Sequence, residues 1–250
     1  MTKTDNLHFT GFSEPKDNWY RLPNNWFGIW HTVRAEYGSR FAPMLKMTEY
    51  ILKHTWGVGR FNGWVQLSAD EIRSGRRRTK SARFDHGTGI SSNSVQNASK
   101  VLAEFGLLEI EQDQNDLARR LRTYRPNIHE ENASEPLTGF ALPTQNYFKV
   151  PNIWSDITSN ITSAATILTV EYLFRHTWGF NNKEGVWLSA NEIAKGRLYG
   201  DGRRYDDGTG FEISSIHRAL KEAIAFGLIV WTEKYENGIS TRLFNLHIKG

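Results

Sequence analysis

Two stretches of the chain set out side chains that hydrogen-bond planar heterocycles. Asn93, Gln96, Asn97 and Lys100 follow one another at steps of three, one and three, and Ser214, His217, Arg218 and Lys221 repeat those steps in the second half. On a helix these spacings share a face. Amide and guanidinium groups on such a face can pair with base edges in the DNA major groove, and a lysine one turn further on meets a phosphate. Asn93, Gln96, Asn97, Ser214, His217 and Arg218 are therefore candidate base contacts, with Lys100 and Lys221 as phosphate contacts. At any single position the alternative is a polar side chain solvating an exposed helix.

A second group of side chains is purely cationic. Arg73, Arg76, Arg77, Arg78, Lys80 and Arg83 fall within eleven residues that hold no acid. The second half answers with Lys195, Arg197, Arg203 and Arg204, offset by Asp201. Arg119, Arg120 and Arg122, and later Lys234 and Arg242, belong to the expected hairpins. Such charges follow a phosphate backbone without reading sequence. The net charge of +4 and pI near 9.2 are mild, so where the charge sits matters more than its sum.

Catalytic chemistry finds little support. Without cysteine there are no thiolate nucleophiles, disulfides or Cys-based metal sites. His54 and His176 each precede Thr-Trp-Gly with no second ligand at metal spacing, which favours packing or capping. Asp85 and Asp206 are lone carboxylates, expected to pair with Arg83 and Arg204. The Gly-Thr-Gly turns are not protease Asp-Thr-Gly motifs, and neither Arg-rich stretch is a Walker loop. The expectation is no catalytic residue, no metal and no cofactor, hence not an enzyme. Trp19 and Trp26 recur at strand-like positions in both halves, which favours packing over base stacking.

The elements that must position these groups come from an internal repeat. Trp19–Trp26 answers Tyr147–Trp154, Lys53-His54-Thr55-Trp56-Gly57 answers Arg175-His176-Thr177-Trp178-Gly179, and residues 68–108 align without a gap on 189–229. Copy one is read as 1–128, the acidic, Pro-containing stretch 129–138 as a linker, and copy two as 139–250. In each copy the first helix carries an apolar stripe: Leu45, Thr48, Ile51 and Leu52, then Ile167, Val170, Leu173 and Phe174. Pro43 sits near the start of the first of these helices, and Gly57 and Gly179 are expected to cap their ends. Ser68 with Glu71, and Ser189 with Glu192, have the capping-box spacing for a short second helix. The third helix keeps Val95, Ala98, Leu102 and Phe105 inward, matched by Ile216, Ala219, Ala223 and Phe226. Two β-runs follow in each copy, joined in the second by the hairpin turn Asn237-Gly238. The predicted fold class is α+β: two tandem winged-helix domains, each a helix-turn-helix plus a β-hairpin wing. The stretch between second and third helices is far longer than the usual three- or four-residue turn and reads as a phosphate clamp.

The run NYFKVPNIW, FRHTWGF, LSANEIAKG and GTGFEISSIHRALKEAIAFGLI resembles the N-terminal winged-helix domain of phage replication initiators of the lambda O type. Copy two matches over most of its length and copy one more loosely. The tandem arrangement is also similar to plasmid replication initiators with two winged helices. The resemblance implies a sequence-specific double-stranded DNA-binding protein of a phage, plasmid or other mobile element, acting at a replication origin and meeting replication machinery. A transcriptional regulator meeting transcription machinery, or an interaction scaffold built on winged helices, are the alternatives. Met1 to Lys16 is polar and no apolar run is long enough for a bilayer, so no membrane partner is expected and the location is read as cytoplasmic, on the nucleoid.

Overall fold

The computed structural model describes residues 9–79, 82, 84–112, 121–129, 139–144, 147–182 and 185–249. It is a mixed α+β chain of two compact units, Pro15–Ala164 and Met1–Glu14 with Ala165–Gly250. No helix of the described residues is long and apolar enough to cross a membrane.

The first unit begins with β1 (Trp19–Pro23), α1 (Trp26–Tyr37) and α2 (Ala42–Thr55). Next come β2 (Val65–Ser68), α3 (Ala69–Ser74), α4 (Ser92–Glu104), β3 (Leu108–Gln112) and β4 (Leu121–Pro126). The expected stripe of α2 is buried, but so is every residue from Met44 to Thr55. This helix is therefore central and not merely amphipathic, because α4, β1, β4 and later elements cover its remaining sides. Its charged side chains need internal partners: Lys46 donates to the Thr88 carbonyl, and Lys53 donates to Ser155 and lies 3.7 Å from Asp156. Strands β2, β4 and β3 form one antiparallel sheet in that order, with Ile110 opposite Tyr124.

The unit is completed by chain that the repeat assigns to copy two. β5 (Ile128–His129) pairs with β6 (Phe140–Ala141), and β1 pairs antiparallel with β7 (Tyr147–Pro151). Helix α5 (Ile153–Thr158) packs on α2. The compact units consequently divide at Ala164, and not at the expected linker 129–138, of which only His129 is described. The reason is burial: Phe140 and Phe148 are fully buried, Phe140 against Trp26 and Trp56 and Phe148 against Phe27.

The second unit holds α6 (Ala164–His176), β8 (Leu188–Ser189), α7 (Ala190–Lys195), α8 (Ile213–Ala225), β9 (Ile229–Glu236) and β10 (Ile239–Leu246). Its sheet order, β8-β10-β9, repeats that of the first unit. Phe12, from the stretch read as a polar lead-in, is 1% exposed and packs edge-on against Phe174, while its backbone bonds His247 and Lys249.

Both capping boxes form: each serine accepts from the backbone of its glutamate, whose carboxylate accepts from the serine backbone N–H. Such a cap is worth about 1 kcal/mol. Asn237 and Gly238 take left-handed backbone as a two-residue hairpin turn requires. Two expectations are corrected. Gly57 and Gly179 are not left-handed caps; a short 3-10 turn extends each helix and ends at left-handed Gly59 and Asn181. Gly57 serves close approach instead, since a Cβ there would stand 3.1 Å from Tyr20 Cβ. Phe226 is 41% exposed because it sits at the C-cap of α8, past the last inward turn.

Candidate nucleic-acid interface

Helices α4 and α8 each follow a capped short helix and present one bare polar face. Val95, Ala98 and Leu102 of α4, and Ile216, Ala219 and Ala223 of α8, are buried. That leaves Asn93, Gln96, Asn97 and Lys100, and Ser214, His217, Arg218 and Lys221, all exposed. Lys100 stands 3.8 Å from Glu104 one turn on, and Arg218 donates to Ser215. Both contacts are solvent-exposed and hold these side chains only weakly. Beside α4, Tyr37, Arg40, Pro43 and Met44 form the far wall of a 480 Å³ groove whose near wall includes Asn97 and Lys100. In the C-terminal copy the corresponding helix, α5, is 6 residues long against 12 in α1.

The long stretch between α3 and α4 is not a loose loop. Its ends meet: the Thr88 and Gly89 N–H groups donate to the carbonyls of Ile72 and Arg73, which the end of α3 leaves without helical partners. Residues 75 and 87 are so close that a Cβ on Gly87 would fall 2.3 Å from the Gly75 nitrogen, and one on Gly75 2.0 Å from the Asp85 carbonyl oxygen. With the excursion 76–86 set aside, six residues, Gly75 and 87–91, connect the two helices. The excursion is itself a small hairpin, in which Phe84 N–H donates to the Arg76 carbonyl and Arg78 N–H to the Ala82 carbonyl. Tyr205 with Arg197, and Tyr199 with Arg203, repeat this in the second unit.

A buried three-residue clamp holds each hairpin. Asp85 is 2% exposed, and its Oδ1 accepts from the Tyr50 hydroxyl at 2.9 Å, Gly87 N–H at 3.0 Å and Arg76 N–H at 3.1 Å. Its Oδ2 stands 3.1 Å from His54 Nε2. In the second unit Asp206 takes the Tyr172 hydroxyl at 2.7 Å and Gly208 N–H at 2.8 Å, with His176 Nε2 at 3.1 Å. Burial alone would raise the Asp85 pKa, but His54, Tyr50 and the Lys53 charge outweigh it and hold it at about 2. Asp206 is held low in the same way, burial being outweighed by His176, Tyr172 and the Gly208 N–H. Burial pushes both tyrosines above their ordinary value, as do the facing carboxylates. Burial likewise pushes His176 down against the pull of Asp206. The expected pairing of Asp206 with Arg204 is thus corrected. Arg204 lies 3.8 Å from Asp207 and donates to the Lys195 carbonyl, because the clamp already fills the Asp206 carboxylate. Asp85 is likewise taken by the clamp, and its expected partner Arg83 lies outside the described residues.

The cations divide by what holds them. Arg76 and Arg197 turn back to the capping-box glutamates, at 3.7 and 3.6 Å from Glu71 and Glu192. Arg203 pairs with Asp201 at 2.7 Å. Arg242 lies 3.4 Å from Glu233 and over the Trp231 ring at 4.8 Å, while Lys234 pairs with Glu236. Arg122 is half-exposed beside Tyr124. Arg77 and Arg78 are exposed and make no salt bridge among the described residues. Lys80, Arg83, Arg119 and Arg120 lie outside the described residues.

The clamp was not foreseen from the sequence. Its signal was present: Tyr50 and His54, like Tyr172 and His176, are one helical turn apart, and an aspartate stands two residues before each Gly-Thr-Gly. Compared with known proteins, the chain matches no family model and no curated protein sequence.

Proposed function

We propose that each repeat is a winged-helix module and that the protein binds double-stranded DNA sequence-specifically, as an origin-binding replication initiator of a phage, plasmid or other mobile element. One observation carries the DNA-binding part. In both repeats the helix that follows the capped short helix exposes a face of amide, imidazole, guanidinium and ammonium groups, with its apolar face buried. Helices α4 and α8 act as recognition helices in this reading. Asn93, Gln96 and Asn97, and Ser214, His217 and Arg218, meet base edges, while Lys100 and Lys221 meet phosphates. The strand pairs β3–β4 and β9–β10 are the wings, and Arg122, Lys234 and Arg242 lie along the backbone. The origin-binding role rests on the resemblance of the second repeat to lambda O-type initiators.

The test is selection of bound sites from random duplexes, followed by footprinting. Replacing Gln96 and Asn97 together, or His217 and Arg218 together, by alanine is expected to relax base preference in separate parts of the site, at about 1–3 kcal/mol per lost base contact. Unchanged footprints and preferences in both double variants would refute the assignment of these helices.

A further inference from the structure

The two hairpins share a backbone and a clamp but carry different chemistry. Where the first has Arg77 and Arg78 at its tip, the second has Leu198 and Tyr199, and Phe180 stands where the first repeat has Val58. In the second unit these side chains ring a cleft of about 590 Å³, lined also by His176, Asn181, Asn182, Arg197 and Tyr205. Phe180 and Tyr205 stand 5.5 Å apart between ring centres, and Tyr199 meets Tyr205 edge-on at 5.0 Å. Phe180 is 47% exposed, Tyr199 48% and Leu198 63%. Three large apolar side chains left in water around one cleft have no folding rationale, and such exposure marks a binding surface. The polar groups complement a nucleotide. Asn181 and Asn182 are exposed amides, and Arg203 stacks over Tyr199 at 5.5 Å. Arg197 lines the wall, and the buried His176 keeps a ring nitrogen, Nδ1, with no hydrogen-bond partner among the described residues.

We propose that this cleft of the second unit binds unpaired nucleobases of a DNA single strand, stacking them on Phe180 and Tyr199 with Arg197 and Arg203 at the phosphates. The proposal deepens the nucleic-acid reading above. The hairpin of the first repeat holds backbone by charge, and the hairpin of the second holds bases by stacking. Every base has a π-face, so the site is tolerant of sequence and requires opened strands.

The test uses the full chain and a fluorescein-labelled oligothymidine of about a dozen nucleotides, within the span of known single-strand sites. A second probe carries 2-aminopurine, whose emission falls on stacking. The wild-type protein is expected to bind the oligothymidine and quench the 2-aminopurine. Phe180→Ala and Tyr199→Ala should each weaken binding about tenfold and relieve the quench, with duplex affinity unchanged within about twofold. Both side chains are half in solvent, so thermal unfolding should stay close to wild type. The double change Leu198→Arg with Tyr199→Arg writes the first hairpin's tip into the second. It adds two positive charges and is still expected to lower oligothymidine affinity. A gain in affinity there, wild-type binding by the alanine variants, or no oligothymidine binding by the native protein would overturn the proposal. Oligothymidine binding without any duplex binding would overturn the duplex reading and leave this one standing.

Discussion

Replacing Asp85 by alanine removes the acceptor on which the first hairpin is built. The Tyr50 hydroxyl, the N–H groups of Gly87 and Arg76, and the facing His54 nitrogen lose their carboxylate together. Each buried donor left without an acceptor costs about 1–3 kcal/mol, and breaking a buried charged cluster by deleting one member costs about 3–5 kcal/mol in all. The lower total is the better guide, since the Arg76 N–H lies near the surface and can turn to water. In a unit of about 150 residues each kcal/mol shifts the midpoint by about 2–4 °C, so a fall of roughly 6–20 °C is expected. Asp85→Asn keeps an oxygen for Tyr50 and the backbone and should cost less, about 2 kcal/mol at most. The assay is thermal unfolding by circular dichroism, paired with limited trypsin digestion, which cleaves after Arg77 and Arg78. Faster cleavage at those bonds should accompany the lower midpoint, in the order wild type, Asn variant, Ala variant. An alanine variant that melts within about 2 °C of wild type and resists trypsin equally would refute the clamp.

Acid should act on both units through their clamp aspartates, and on the second also at higher pH through His176. Asp85, ordinarily near 3.8 and held at about 2 in the fold, contributes stability that is full above its ordinary value and fades as pH falls toward 2. His176 is held below its ordinary 6.5, so its contribution is full above that value and is lost as pH falls through the lower folded one. Unfolding midpoints measured from about pH 8 down to about pH 4 should therefore decline through His176, and His176→Gln should flatten that limb. Arg77→Ala with Arg78→Ala should weaken binding to all duplexes alike and reduce the slope of log K against log salt by up to about 2 units, measured by titration over a salt series. An unchanged slope would remove the hairpin tip from the phosphate contacts.

What was legible in the sequence was local. The capping boxes at Ser68 and Ser189 are fixed by a serine and a glutamate three residues apart, and the bare faces of α4 and α8 by helical period alone. The Asn237-Gly238 turn needs two residues only. What was not legible depends on partners far along the chain. Nothing near Phe12 says that it will lie against Phe174, and nothing near Phe140 says that it will close over Trp26. The division of the chain followed from those burials, not from the acidic composition of 129–138. The clamp lies between these cases. Tyr50 and His54 are neighbours on a helix, but Asp85 reaches them only because Gly75 and Gly87 bring both ends of the excursion to one place.

The pairing of β1 with β7 has a consequence of symmetry. Trp19 faces Pro151, Tyr20 faces Val150, Arg21 faces Lys149, Leu22 faces Phe148 and Pro23 faces Tyr147. Each residue thus meets the counterpart of the residue mirrored about the strand centre, which is the rule of an isologous contact between two copies of one subunit. The residue on the axis must then face its own kind, and so a cation stands opposite a cation at Arg21 and Lys149. Neighbouring rings absorb the repulsion: Arg21 lies 4.3 Å from the centre of Tyr147 and 4.8 Å from that of Phe61, and Lys149 4.7 Å from that of Trp19. Each repeat supplies one strand of this ribbon, and each strand presents the surface that its counterpart needs. Covalent tandem linkage turns what would be a concentration-dependent dimer contact into an intramolecular one.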